Sequence, residues 1–160
     1  MMRERLIHDF MISFKIATPE RVVYEDEIDQ ITLPTKLGEI TILPNHIPLV
    51  SFLVPGEVLI KKGNDEIPLA VSGGFIEFAE NKLTILADTA ERVEELEEVK
   101  IEEAKKKVEE LMVKKQDIDE VAFAGLAAQM ERELARLKVA RKYRHLKKGP
   151  QIRVEEDWES

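Results

Sequence analysis

The chain has 160 residues and a formal net charge of −8, room for one ordinary domain or two small ones. It holds no cysteine, which excludes a disulfide scaffold, a thiol nucleophile and any thiolate-ligated metal centre, and its three histidines (His8, His46 and His145) stand far apart. The longest strongly apolar stretch, Ile47 to Pro55, is far short of the roughly 20 residues a spanning helix needs, and the acidic balance argues against nucleic acid as a partner.

In residues 1–10, Arg3, Glu4, Arg5, His8 and Asp9 interrupt any apolar leader, so this stretch reads as an N-terminal extension and not as a signal peptide. Residues 11–90 hold five of the seven glycines and six of the seven prolines. Between these turn formers lie short segments of strand character. In Met11–Ala17 the apolar Ile12, Phe14 and Ile16 alternate with Ser13 and Lys15, the period of a half-buried strand. Arg21–Glu25, Ile28–Leu33, Glu39–Leu43, Val50–Val54, Glu57–Lys61, Ile67–Val71, Phe75–Ala79 and Lys82–Ala87 follow. About eight to ten short strands in this space predict a small antiparallel β-sandwich.

After Asp88 the period becomes helical. Leu96, Val99, Ala104, Val108 and Leu111 predict one apolar stripe, and Phe123, Ala127, Met130, Leu134 and Leu137 a second. A break at Lys114–Asp117 separates them, with Asp117 expected as N-cap and Glu120 in capping-box position. Residues 91–148 therefore predict an antiparallel helical hairpin, and the whole is an α+β chain with its strands first. Gly149-Pro150 ends the second helix, and residues 149–160 read as a loose acidic tail. Charge is unevenly placed: residues 91–103 carry seven Glu against two basic residues, whereas 132–148 carry eight basic residues and one Glu. Such blocks point to contacts within the hairpin or with a partner.

No phosphate loop, dinucleotide fingerprint or nucleophile elbow is present. Glu94, Glu95, Glu97 and Glu98 read as a solvated helix face, and His46, between prolines, as a packed loop residue. Ser72-Gly73-Gly74 reads as a turn requiring positive φ. The residues alone describe an interaction or regulatory module with no catalytic centre and no metal site.

Three segments carry a resemblance. Gly38-Glu39-Ile40-Thr41-Ile42-Leu43-Pro44-Asn45-His46-Ile47-Pro48-Leu49 resembles the GELGILPGHxPL signature of the epsilon subunits of F-type ATP synthases. Val71-Ser72-Gly73-Gly74-Phe75 is similar to that family's SGGF segment, and Leu83 to Arg92 to its VTILADxAER stretch. The three occur in the family's order, and the likeness covers about residues 11–142. Thr41 and Asn45 replace family glycines; an ordinary strand is expected at the first, and a left-handed residue is tolerable at the second.

The resemblance implies a non-catalytic central-stalk subunit that couples proton or sodium-ion flow through the c-ring to ATP synthesis. In that family the sandwich binds the gamma subunit and rests on the c-ring, with Glu39, and His46 in the same segment, falling to the ring contact. The hairpin inhibits ATP hydrolysis when it extends into the alpha and beta subunits, where Arg132, Arg136, Arg141 and Arg144 match residues that meet the beta subunit. The place implied is the cytoplasmic face of the membrane, peripherally and without insertion. Some members bind ATP as a regulatory ligand in the folded hairpin. The matching positions here are Glu91, Arg92, Glu97, Lys100, Arg132 and Arg136. Glu97 stands for the family's Asp, Lys100 for its Arg and Ile101 for a small residue, so weak or absent ATP binding is expected, and no other cofactor. A free-standing ATP sensor and a structural adaptor with a coiled-coil arm are the competing readings.

Overall fold

The computed structural model describes residues 10–114 and 119–147. Ten strands come first: β1 (Ile12–Ala17), β2 (Val22–Ile28), β3 (Gln30–Thr35), β4 (Gly38–Ile42), β5 (Leu49–Leu53), β6 (Gly56–Lys62), β7 (Asp65–Val71), β8 (Gly74–Ala79), β9 (Lys82–Ala87) and β10 (Ala90–Arg92). A 3₁₀ turn (Val93–Glu95) leads to α1 (Glu98–Lys114), α2 (Glu120–Lys142) and a last helical turn, α3 (Arg144–Lys147). All nine expected strand segments are present, with small shifts at their ends. The tenth, β10, lies where helix was expected to begin, so the sheet runs on to Arg92.

The strands follow the order β10-β7-β6-β3-β5-β8-β9-β1-β2, with β4 beside β3. Every pair is antiparallel except β1 and β9, which run parallel. Because β3 and β5 meet at a single pair, Thr35 with Leu53, the sheet turns a corner there. This yields two layers, β10-β7-β6-β3-β4 and β5-β8-β9-β1-β2. The alternation read from sequence decides what lies between them. Ile12, Phe14 and Ile16 of β1, Ile31 and Leu33 of β3, Val58 and Ile60 of β6, and Ile76 and Phe78 of β8 are all buried in one core. Each such side chain contributes roughly 1.5–3 kcal/mol by leaving water.

The ends of the sheet are closed by charge. Strand β2 carries Glu25, Asp26 and Glu27 on an edge, which discourages pairing with another chain. Arg92 lies over the Tyr24 ring and donates a 3.0 Å hydrogen bond to the Val23 carbonyl. Asp26 pairs with Lys62 of β6 across the layers, and this hydrogen bond holds the Asp26 carboxyl below its ordinary pKa.

The departures from the family motif are accommodated as expected. Thr41 lies within β4, its hydroxyl 3.0 Å from that of Thr32, and Asn45 takes φ 64°. Asn45 and Asn81 tie their two loops together, the Asn45 amide donating to Asn81 Oδ1 at 2.6 Å and Asn81 Nδ2 donating to Asn45 Oδ1 at 2.9 Å.

The helices correct the sequence reading in two respects. The N-cap of α2 is Asp119, whose carboxylate accepts from the Ala122 amide at 2.7 Å; Asp117 lies outside the described residues, as do residues 1–9 and 148–160. Asp119→Ala should lower hairpin stability by about 1 kcal/mol, read as a loss of helical signal on heating ahead of the sandwich transition. Of the expected α1 stripe, Val99 and Leu111 are exposed, while Ile101 and Val108 are the residues α1 buries. Leu96 is buried too, but as the residue that ends the 3₁₀ turn, so it sets no helical phase for α1.

Candidate functional site

Two outer faces remain once the core is filled, and they differ in chemistry. On the first layer, Glu57 of β6 and Glu91 of β10 both pair with Ala70 of β7, forming a cross-strand row of two carboxylates flanking an alanine. Helix α2 crosses this row. The small Ala70 admits close approach, and it joins Val93, Leu96, Ile101, Leu137, Val139, Ala140 and Tyr143 in a second apolar cluster that also touches Leu59. This cluster seats the hairpin on the sheet.

Ion pairs surround it. Arg136 grips Glu91 with two hydrogen bonds, Nε to Oε2 at 2.6 Å and Nη2 to Oε1 at 2.9 Å, and its Nη1 donates to Glu133 Oε2 at 2.7 Å. Glu133 is only 3% exposed. Burial alone would lower the Arg136 pKa, but the two carboxylates outweigh it and hold the guanidinium above its ordinary value. At the other end of the row Glu57 accepts from Lys142 Nζ at 2.9 Å and from the Tyr143 hydroxyl at 2.5 Å. Burial first and the hydrogen bond to Glu57 second push the Tyr143 phenol up, and hydrogen bonds with Glu57 and Tyr143 raise Lys142.

Two further hairpin arginines are also engaged. Arg141 donates to Glu102 at 2.6 Å, and Arg144 forms a two-bond pair with Glu98, both at 2.6 Å, which lowers the Glu98 pKa. The acidic start of α1 thus meets the basic end of α2 within the hairpin. Glu95 remains exposed, but it lies in the 3₁₀ turn and not on α1, where it accepts from Arg21 at 2.5 Å and from the Arg92 amide at 2.8 Å and so closes the sheet edge. Arg132 keeps its Nε buried without a hydrogen-bond partner.

Four of the six residues matched to an ATP site are paired with one another. Arg136 and Glu91 satisfy each other, Arg92 is turned to β2, and Lys100 pairs with Glu97 at 3.0 Å on the exposed side of α1. Sequence reasoning missed Glu57, Glu133 and Tyr143. Among the described residues no group of three acidic or histidine side chains is placed to hold a metal ion, and no helix is long and apolar enough to cross a membrane.

The second layer presents an uncovered apolar face. Register aligns Phe52 of β5 with Phe75 of β8, Phe75 with Leu86 of β9, Leu86 with Ala17 of β1, and Ala17 with Val22 of β2. The row crosses five strands, and Phe52, Phe75 and Leu86 are 55%, 54% and 59% exposed. The two phenylalanine rings lie 4.8 Å apart, with Lys36 Nζ 5.5 Å from the Phe52 ring. The next row, Val50, Glu77, Thr84, Lys15 and Glu25, edges the stripe with charge.

Glu39 and His46 lie at opposite ends of β4. Glu39 is exposed beside the fully exposed Leu37 at the β3–β4 tip. His46 sits in the β4–β5 loop, edge-on to Phe78 with ring centroids 5.9 Å apart and Nδ1 2.7 Å from the Ile47 carbonyl. The tip shares an end of the sandwich with Phe52, through Lys36; the His46 loop shares the other with Asn81.

The family model for the β-sandwich domain of the ATP synthase delta/epsilon chain matches residues 11–93. An ATP synthase epsilon chain of Herpetosiphon aurantiacus is 42% identical over 130 residues, covering 81% of this chain and 94% of that one. One of Dehalococcoides mccartyi is 40% identical over 141 residues, covering 88% and 98%. Among solved structures, a chain in the OSCP/F1/c-ring part of the Euglena gracilis mitochondrial ATP synthase is similar with a TM-score of 0.65, 22% identity and 76% coverage of each chain. A chain of the Tetrahymena thermophila mitochondrial central stalk and c-ring gives 0.60 with 17% identity, covering 81% of this chain and 96% of that one. The matched sandwich ends at Arg92 and Val93, where the sheet itself ends.

Proposed function

The chain belongs to the delta/epsilon family of ATP synthase chains, and from that membership we propose that its two outer faces divide the work of a central-stalk epsilon subunit. The uncovered row from Phe52 to Val22 docks on the gamma subunit. The adjoining β3–β4 tip, with Leu37 and Glu39, rests on the c-ring. Contact at this tip leaves His46 at the far end of β4, outside the ring contact. The hairpin occupies the opposite layer, where it can leave without disturbing either surface.

The observation that carries this reading is the asymmetry of the two layers: helices cover one, and an aromatic stripe is left open on the other. The subunit has no catalytic role of its own. The complex stands peripherally at the cytoplasmic face of the membrane. In the inhibitory state α2 leaves the sheet, Arg136, Arg141 and Arg144 exchange their internal carboxylates for acidic groups of the beta subunit, and Arg132, whose Nε has no internal partner, gains one there. Such an exchange of similar pairs requires only a few kcal/mol between states.

The test compares ATP hydrolysis by the cognate alpha–beta–gamma complex with the full chain and with a chain ended after Glu95. Ending the chain there preserves β10 and the Arg92 and Glu95 contacts that close the sheet edge. Both chains should co-purify with gamma, and only the full chain should slow hydrolysis several-fold. Binding without inhibition by either chain would confine the role to coupling; failure of both to bind would overturn the docking assignment.

A further inference from the structure

Arg136, Arg141, Lys142 and Arg144 are each paired with a carboxylate of this chain, and the arrangement on the Glu57–Ala70–Glu91 row is specific. Arg136 can donate through Nε, Nη1 and Nη2, and all three are directed at carboxylates. Two bonds go to the sheet at Glu91, and one goes to Glu133 on its own helix, three residues earlier. A carboxylate as buried as Glu133 is costly unless it is paired. On a helix face turned to water that burial would have no purpose. Here it places a negative charge beside a guanidinium that also holds the sheet. Lys142 and Tyr143 repeat the grip on Glu57, two turns further along α2. The sheet thus offers two carboxylates, and the helix brings a cation to each.

We propose that the Glu91–Arg136–Glu133 bridge is a built-in latch that holds the hairpin on the sandwich without any bound nucleotide. Glu133 supplies the second negative charge that a bound phosphate could otherwise bring to Arg136. A nucleotide would have to displace a carboxylate that is tethered and already desolvated. The latch rests on the reading that the hairpin can leave the sheet, and it names what opposes that departure. Arg136 then faces a choice between the pair Glu91 and Glu133 and an outside acidic partner, so these two residues tune how readily the inhibitory state forms.

The full chain suits a direct test because it lacks native cysteine. Cysteines introduced by S13C and K107C, both at exposed positions, take spin labels that report the separation of β1 and α1. The parent should give one docked separation, unchanged by millimolar magnesium ATP. E91Q and E133Q should each raise the undocked fraction by about ten- to a hundredfold, as expected when one partner of a largely buried pair is removed. E91Q guards against the case in which E133Q fails to fold, and the melting of the sandwich in each variant checks that the sheet is intact. A parent that docks only after ATP is added overturns the proposal, and so do variants that stay docked to the same extent. The measurement needs no other subunit. Failure of the latch is therefore distinguishable from failure of gamma docking or of inhibition, which the hydrolysis comparison reads.

Discussion

Replacing Phe52 and Phe75 together by threonine should weaken binding to the gamma subunit by about a thousandfold while leaving the sandwich folded. Each ring is a large apolar surface, and aromatic anchors at the centre of an interface typically cost about 2–4 kcal/mol when truncated. Two such losses of roughly 2 kcal/mol amount to the stated factor, since each 1.4 kcal/mol is about tenfold. The fold should survive because both side chains point away from the core, whose β5 and β8 members are Leu53, Ile76 and Phe78. Threonine keeps the β-branched shape that a strand favours. It also avoids placing like charges at Phe52 and Phe75, which are directly cross-strand, where glutamates would destabilise the sheet themselves. Affinity by calorimetry or surface capture, beside a thermal melt, separates the two effects. Unchanged affinity would show that gamma docks elsewhere, and the open stripe would then need another partner.

Such a stripe is legible in sequence only in part. Alternation identified nine strands because each strand of the sandwich has one face in the core, and a period of two records that fact directly. Phe52 and Phe75 obey the same period on the wrong face: they are apolar and outward, so each alone reads as one more core candidate. Their adjacency depends on β5 pairing with β8, which no local pattern reveals. Strand β10 escaped because three residues, Ala90, Glu91 and Arg92, are too few to show a period. The helices misled for a related reason. An apolar stripe assumes one buried face, but the sheet-proximal end of the hairpin is buried on more than one side, among them Ala135, Leu137, Val139 and Ala140, while Val113, Val121 and Phe123 further out are exposed.

The candidate site shows the same division. The charge blocks at residues 91–103 and 132–148 announced that the hairpin would have internal or external electrostatic partners, and Glu98–Arg144 and Glu102–Arg141 realise the internal ones. Glu133 gave no such signal. A lone glutamate among basic residues on a helix reads as a solvated side chain, and only the approach of Glu91, 45 residues from Arg136, makes its burial intelligible. The motif likeness located Glu39 and His46 in one segment, yet β4 between them sends the two to opposite ends of the sandwich. Proximity in a motif conveys family, and proximity in space is decided by the strand between.

Gly74→Ala should be the most damaging single methyl in the sheet. Gly74 opens β8 at φ 137°, a region that side-chain-bearing residues avoid, and a Cβ there would lie 2.0 Å from the Leu86 carbonyl oxygen and 2.8 Å from the Ala87 Cα. Both are backbone atoms of β9, so no side chain can rotate away; β8 and β9 must part. Strain of roughly 1–3 kcal/mol for the backbone conformation adds to a similar overpacking cost of roughly 1–3 kcal/mol. The melting temperature of the sandwich should fall by on the order of 15 °C or more. Gly125→Ala is the matched control, because nothing lies within 4 Å of its would-be Cβ and it sits inside α2. There the same methyl should stabilise the hairpin by roughly 0.5–1 kcal/mol through helix propensity. The contrast bears on function because Gly74 precedes Phe75 and pairs with Leu53 and Ala87, the residues next to Phe52 and Leu86. Closeness of β8 to β9 is what brings Phe75 and Leu86 into one stripe. A Gly74→Ala chain should therefore lose gamma binding together with its fold, whereas the threonine pair loses binding alone. A Gly74→Ala chain that melts normally would mean that the two strands are not held at this separation.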